Sequence, residues 1–161
     1  MMKNRAASIL LSFLLVAFGH RAAAQEVIRQ TACENQSIVH QIDSLKQIFA
    51  KDGFIVVKEA SMTMESEYEM PVIVPLREGT WYKFIFVGDI TSKIWESRMY
   101  DWNEKQVMYQ KKMWADVDGN VVNYDYIPRF TEYHMIKVSQ VNKTKKKNIC
   151  GYVMLLKKVK E

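Results

Sequence analysis

The sequence predicts a mainly β fold, an antiparallel β-sandwich or jelly-roll-like body of about eight strands with one N-terminal helix. Three observations point there. From Phe54 onward apolar residues recur at every second position, which is the period of a strand. Turn signals such as Arg77-Glu78-Gly79, Asp101-Trp102-Asn103-Glu104 and Asp118-Gly119 cut these runs at short intervals. Only the stretch from Asn35 to Ala50 has helical spacing. With 161 residues, 48% hydrophobic and 25% charged, the chain is too apolar for disorder and suits a single domain.

The first element is an address. Lys3 and Arg5 precede the charge-free apolar stretch Ala6 to Phe18, and the small residues Ala22-Ala23-Ala24 follow. This is the plan of a secretory signal peptide over residues 1–24, cleaved before Gln25. The apolar stretch is well short of the roughly 20 residues that a spanning helix needs. The expected protein is therefore exported, periplasmic or extracellular, without stable membrane insertion. Cys33 lies too far beyond the apolar stretch to serve as a lipidation site.

The expected division is 25–53 for a polar lead and the helix, then 54–161 for the sandwich on which the helix packs. Ile38, Ile42, Leu45 and Phe49 form one helical stripe, Asn35 is placed to cap its start, and Gly53 to end it. Phe54 to Met64 is extended, with the acidic run Glu65, Glu67, Glu69 behind it. Met70 to Leu76 holds Pro71 and Pro75 at one parity, so both missing N–H groups fall on one lateral side, as at a sheet edge. In Trp81 to Val87, Tyr82, Phe84 and Phe86 alternate with Lys83, Ile85 and Val87, which suits a central strand covered on both faces. Lys93 to Tyr100, Gln106 to Ala115 and Val121 to Tyr126 follow, the last broken by Pro128. Thr131 to Val141 and Asn148 to Val159 are the final pair.

Cys33 and Cys150 are the two cysteines, one near each end of the mature chain. In an oxidising compartment an even pair predicts a disulfide that staples the N-terminal segment to the last strand. Charge argues against a nucleic-acid partner. Losing Lys3, Arg5 and Arg21 with the leader takes Lys+Arg from 23 to 20 against 18 acids, so the pI of about 9.1 overstates the basicity. Lys143, Lys145, Lys146 and Lys147 read as a solvated hairpin tip.

From Val72 to Val107 the chain runs apolar strand, Leu76, Gly79, Tyr82-x-Phe84-x-Phe86, Gly88-Asp89, a further strand and Tyr100-Asp101; Cys150-Gly151-Tyr152-Val153 comes later. This pattern resembles small bacterial secreted β-sandwich proteins similar to pre-peptidase C-terminal-type domains, over about residues 54–159. The resemblance implies a non-catalytic accessory domain. Fold analogy carries no function by itself.

The chemistry-bearing residues are sparse. His40 falls off the helical stripe, and His134 shares parity with Ile136 and Val138, which predicts a half-buried place on a sheet. Neither has a partner at metal or triad spacing, and no nucleotide or nucleophile motif occurs, so no metal site and no cofactor is implied. Glu65, Glu67 and Glu69 would share one strand face, where like charges repel, or lie in a strand-end loop. Asp116-x-Asp118-Gly119-Asn120 has part of a calcium loop but fits a hairpin turn. The aromatics stand out: of 17 in the mature chain, 13 fall between Trp81 and Tyr133.

Trp102, in a turn, is the expected exposed ring, with Trp95, Tyr124 and Tyr126 as companions. The expectation is an exported, non-enzymatic binding or accessory module with an unknown protein or glycan partner. A carbohydrate-binding module using those rings is the alternative, and a carboxylate-pair hydrolase a further one. N-terminal sequencing of secreted protein is expected to begin at Gln25; a start at Met1 removes the export reading.

Overall fold

The structure, a computed structural model, describes residues 31–117 and 119–159. The predicted leader, the lead at 25–30 and Asp118 of the predicted turn lie outside the described residues. Helix α1 (Gln36–Lys51) starts where the Asn35 side chain accepts hydrogen bonds from the Ser37 and Ile38 N–H groups. It ends at Asp52 and Gly53, whose φ of 75° is the left-handed conformation glycine favours. Eight strands follow: β1 (Phe54–Met64), β2 (Met70–Leu76), β3 (Tyr82–Gly88), β4 (Ser92–Tyr100), β5 (Gln106–Met113), β6 (Val121–Tyr126), β7 (Glu132–Asn142) and β8 (Ile149–Lys158).

They form two four-stranded sheets, β1-β8-β3-β6 and β2-β7-β4-β5, with antiparallel pairing throughout. The inner faces meet in one core that includes Met62, Val74, Phe84, Phe86, Trp95, Met99, Ile136 and Val153. The sandwich expectation is met. Burying these faces is the main gain of folding, at about 25 cal/mol per Å² of apolar surface.

β3 explains where the helix goes. Tyr82, Phe84 and Phe86 enter the inter-sheet core, whereas Ile85 and Val87 join a second cluster with Met154 and Leu156 of β8 and Ile38 and Ile42 of α1. The helix stripe therefore roofs the outer face of the first sheet. The disulfide between Cys33 and Cys150, with Cα atoms 5.5 Å apart, fastens the chain just before α1 to β8 at the edge of this cluster.

The other sheet has β2 at its edge, as its prolines require. The Ile73 carbonyl accepts from Lys58 Nζ at 2.7 Å, so backbone groups of this parity point away from β7. Pro71 and Pro75 share that parity and present no N–H to the flank. Glu65, Glu67 and Glu69 are not on a strand: β1 stops at Met64, and Glu67 has φ 74°. Glu69 pairs with Arg98 and Lys137.

At the strand ends, Gly88 lies against the Trp95 indole. A Cβ there would sit 2.5 Å from Trp95 Nε1 and 2.9 Å from Gln140 Oε1. Trp95 Nε1 in turn donates to the Asp89 carbonyl at 3.2 Å.

Two stability predictions follow from this packing. Replacing Cys33 and Cys150 by serine opens a loop with a sequence separation of 117 and should lower unfolding free energy by roughly 2–5 kcal/mol, read from urea melts. Gly88→Ala should cost about 1–3 kcal/mol by overpacking against Trp95, read as a lower thermal midpoint with a changed near-ultraviolet indole signal.

Candidate functional site

Because α1 covers one sheet, the outer face of the β2-β7-β4-β5 sheet is left without a covering element among the described residues. Alternation decides what it shows. Val72, Val74 and Leu76 point inward, so Ile73 and Pro75 point out; His134 and Ile136 point inward, so Tyr133 and Met135 point out. Register places Pro75 opposite Tyr133, and Met135 between Ile73 and Tyr100. The next row is polar: Arg98 bonds Glu69 at 2.5 Å and Glu96 at 2.7 Å, and Lys111 reaches Glu96 at 3.2 Å. These pairs are closed on themselves. The open part of the face is the apolar end near Tyr133.

That end carries the β4–β5 turn. Asp101 Oδ1 accepts from the Asn103 and Lys105 N–H groups, both at 2.9 Å, and the Asp101 N–H donates to the Lys105 carbonyl at 3.0 Å. Glu104 takes the left-handed φ of 60° that closes the loop. A turn fixed by so many bonds holds Trp102 in water at 69% exposure, with its ring centroid 6.4 Å from that of Tyr133, itself 55% exposed. Two large apolar rings are thus held at the surface by backbone chemistry rather than by burial.

Beside them lies a cleft of about 430 Å³ between the β4–β5 turn and the β6–β7 connection. Polar groups line it: Asp101, Lys105, Gln106, Arg129 and Glu132, with Tyr126 on its wall and Phe130 at its rim. The Tyr126 hydroxyl lies 3.2 Å from His134 Nε2. Burial, then the charges of Glu132 and Asp101, push this phenol above its ordinary range, so it keeps its proton at neutral pH.

The predicted ring set is divided by the structure. Trp102 is exposed and Tyr126 lines the cleft. Trp95 and Tyr124 are corrections: they are 1% and 4% exposed, inside the inter-sheet core, where no ligand reaches them. Trp95 shares inward parity with Ser97 and Met99. Tyr124 packs on Phe84 with centroids 5.3 Å apart and meets Ser97 Oγ through its hydroxyl, and burial raises its pKa strongly. His134 is also deeper than expected, fully buried rather than half-buried, because β7 turns that parity into the core.

Tyr133 and Phe130 also belong to this surface, and sequence reasoning misses them. Tyr133 was legible as the parity opposite to His134; Phe130 follows Pro128, where no period applies. Trp114 falls within the predicted strand Gln106 to Ala115, but β5 stops at Met113 and leaves it exposed.

The other candidates hold no chemistry. His40 is exposed on α1, and the four lysines from Lys143 to Lys147 are a solvated connection. Asp116 accepts from the Met113 N–H at 2.6 Å, and the Asn120 side chain donates to the Gly88 carbonyl at 2.6 Å. Both serve the fold. Among the described residues no group of three or more His, Cys, Asp or Glu is placed to hold a metal ion, and no helix is long and apolar enough to cross a membrane.

No family model matches the chain, and no curated protein matches it. Among solved structures it is similar to a CBM4 carbohydrate-binding module at 13% identity and a TM-score of 0.42, over 66% of this chain and 79% of that one. It is similar to the module TmCBM61 in complex with β-1,4-galactotriose at 15% identity and a TM-score of 0.38, over 67% and 84% of the two chains. A third is a Glycosylation Associate Protein complex from Streptococcus agalactiae, at 12% identity and a TM-score of 0.33, over 65% of this chain and 39% of that one.

Proposed function

We propose that the protein is a non-catalytic binding module acting outside the cytoplasm, and that it takes carbohydrate at the Trp102–Tyr133 end of the bare sheet. The reading is supported above all by one observation, the Trp102 ring held at 69% exposure by a tightly bonded turn in contact with Tyr133. A sugar ring has an apolar face of C–H groups and an equator of hydroxyls. The first matches an aromatic face, and the second matches a cleft whose side chains both donate and accept. Here the donors are Lys105, Arg129 and the protonated Tyr126, and the acceptors are Asp101, Glu132 and Gln106. Rings fixed before binding lose little freedom when a ligand arrives, which favours affinity from a small contact.

A hydrolase would need two carboxyl groups facing each other across the cleft about 5–10 Å apart. The two carboxylates that line the cleft are Asp101 and Glu132. Asp101 Oδ1 is occupied by two backbone N–H groups, and Glu132 Oε1 sits 3.7 Å from His134 Nε2. The disulfide between Cys33 and Cys150 fits an oxidising compartment.

A glycan array followed by tryptophan-fluorescence titration tests the reading. At least one neutral oligosaccharide is expected to shift the emission. Trp102→Ala should weaken that binding by tenfold or more with an unchanged far-ultraviolet spectrum, whereas Trp114→Ala should leave it intact. Equal binding by the Trp102→Ala variant, or no glycan bound at all, would remove the carbohydrate assignment.

A further inference from the structure

A second cavity lies on the opposite flank of the molecule, where β1 sits over β2 and the two sheets part. It has a volume of about 320 Å³, near the lower end of the range of about 300–1,000 Å³ that small-molecule sites occupy. Its floor is apolar: Val74, Leu155 and the Tyr82 ring are core residues whose edges it reaches, and Val57 on the β1 bulge closes one side. Its charged lining is entirely cationic. Lys58, Arg77 and Lys157 are the charged residues that line it, and no carboxylate does.

The placement of these cations follows from strand alternation. On β1, Ala60, Met62 and Met64 face the core, and Lys58 continues that parity outward along the strand. On β8, Ile149, Val153 and Leu155 face the core, and Lys157 continues it in the same way. Two lysines thus stand on inward-facing positions at the point where the sandwich runs out of core. Arg77 follows the end of β2. None of the three makes an ion pair with a described residue, and Lys58 is held by the Ile73 carbonyl. Glu78 lines the adjoining cavity of about 580 Å³, not this one.

An apolar slot with an unneutralised cationic rim complements one ligand chemistry. We propose that it binds a small amphipathic anion, a linear alkyl chain with an anionic head. The chain would enter between the sheets against Val74 and Leu155. The head would be met at the mouth by Arg77 and Lys157, Arg77 offering a planar fork suited to carboxylate or phosphate oxygens. This site is independent of the carbohydrate reading; of its lining only Pro75, which stands opposite Tyr133, also borders the bare sheet face.

Calorimetric titration of the oxidised protein tests the assignment, with decanoate, decyl phosphate, decanol and decyltrimethylammonium below their micelle concentrations. Decanoate or decyl phosphate should bind, whichever head fits better, with affinity rising roughly fourfold for each methylene added from octanoate to decanoate. Decanol should bind at least tenfold more weakly and the cation not at all. Arg77→Glu and Lys157→Glu, both at the solvent-facing mouth, should each reduce anion binding tenfold or more with an unchanged melting point. Val57→Glu, which leaves the cations in place, should do the same by setting a carboxylate at the entrance. Equal binding of decanol and decanoate, unaltered binding by all three variants, or no heat with either anion would overturn the proposal. The Trp102→Ala variant should bind decanoate normally, so this result and the glycan result stand apart.

Discussion

The surface of this protein is set by one constraint, that β3 and β8 are apolar on both sides. A strand with one greasy face needs a single partner sheet; these two need a second cover, and α1 is the only element among the described residues that supplies it. Ile38 and Ile42 close over Ile85, Val87 and Met154, and the Cys33–Cys150 bridge fixes the start of that cover. The helix can shelter one sheet only. The second sheet meets water with its outward residues, and its aromatic end stands open for that reason.

The two ends of the sandwich differ in kind. At one, side-chain amides knit the connections together. Gln140 accepts from the Asp89 N–H and the Ser92 hydroxyl and donates to the Cys150 carbonyl, joining both sheets. Asn142 donates to Thr91, and Asn120 exchanges hydrogen bonds with Gln41 of the helix. Buried amides satisfied in this way rigidify a structure. At the other end the connections carry Trp81, Trp102 and Phe130, Tyr133 stands at the start of β7, and the clefts lie between them. One end is stitched shut and the other is furnished with rings.

Much of this was legible in the residues. The alternation from Tyr82 to Val87 announced a strand covered twice, the two prolines announced an edge, and Asn35 and Gly53 marked the helix. What stayed hidden is long-range. The order β1-β8-β3-β6 separates strands that are neighbours in sequence, and nothing local records which sheet a strand joins. The placing of Trp95 and Tyr124 at the surface failed for a reason that local reading could have used. Trp95 alternates with the charged Glu96 and Arg98, and Tyr124 stands between the polar Asn123 and Asp125, so polar residues on one parity already send both rings inward. Tyr126 has the same parity but lies at the strand end, where the core gives way to the cleft. Trp102 was readable because a turn has no inside.

The prolines of β2 have an effect that reaches beyond the single molecule. An exposed strand margin is a template on which other chains can be laid, and crowded or newly exported proteins are exposed to that hazard. Along this margin two positions have no hydrogen to give, and the carbonyl between them is already capped by the ammonium of Lys58. A neighbouring copy approaching there finds the Ile73 N–H as the one donor of that parity between the prolines and the Ile73 carbonyl already taken. The flank is made a poor template for fibre-like growth by its own covalent make-up, whatever ligand the rest of the molecule holds.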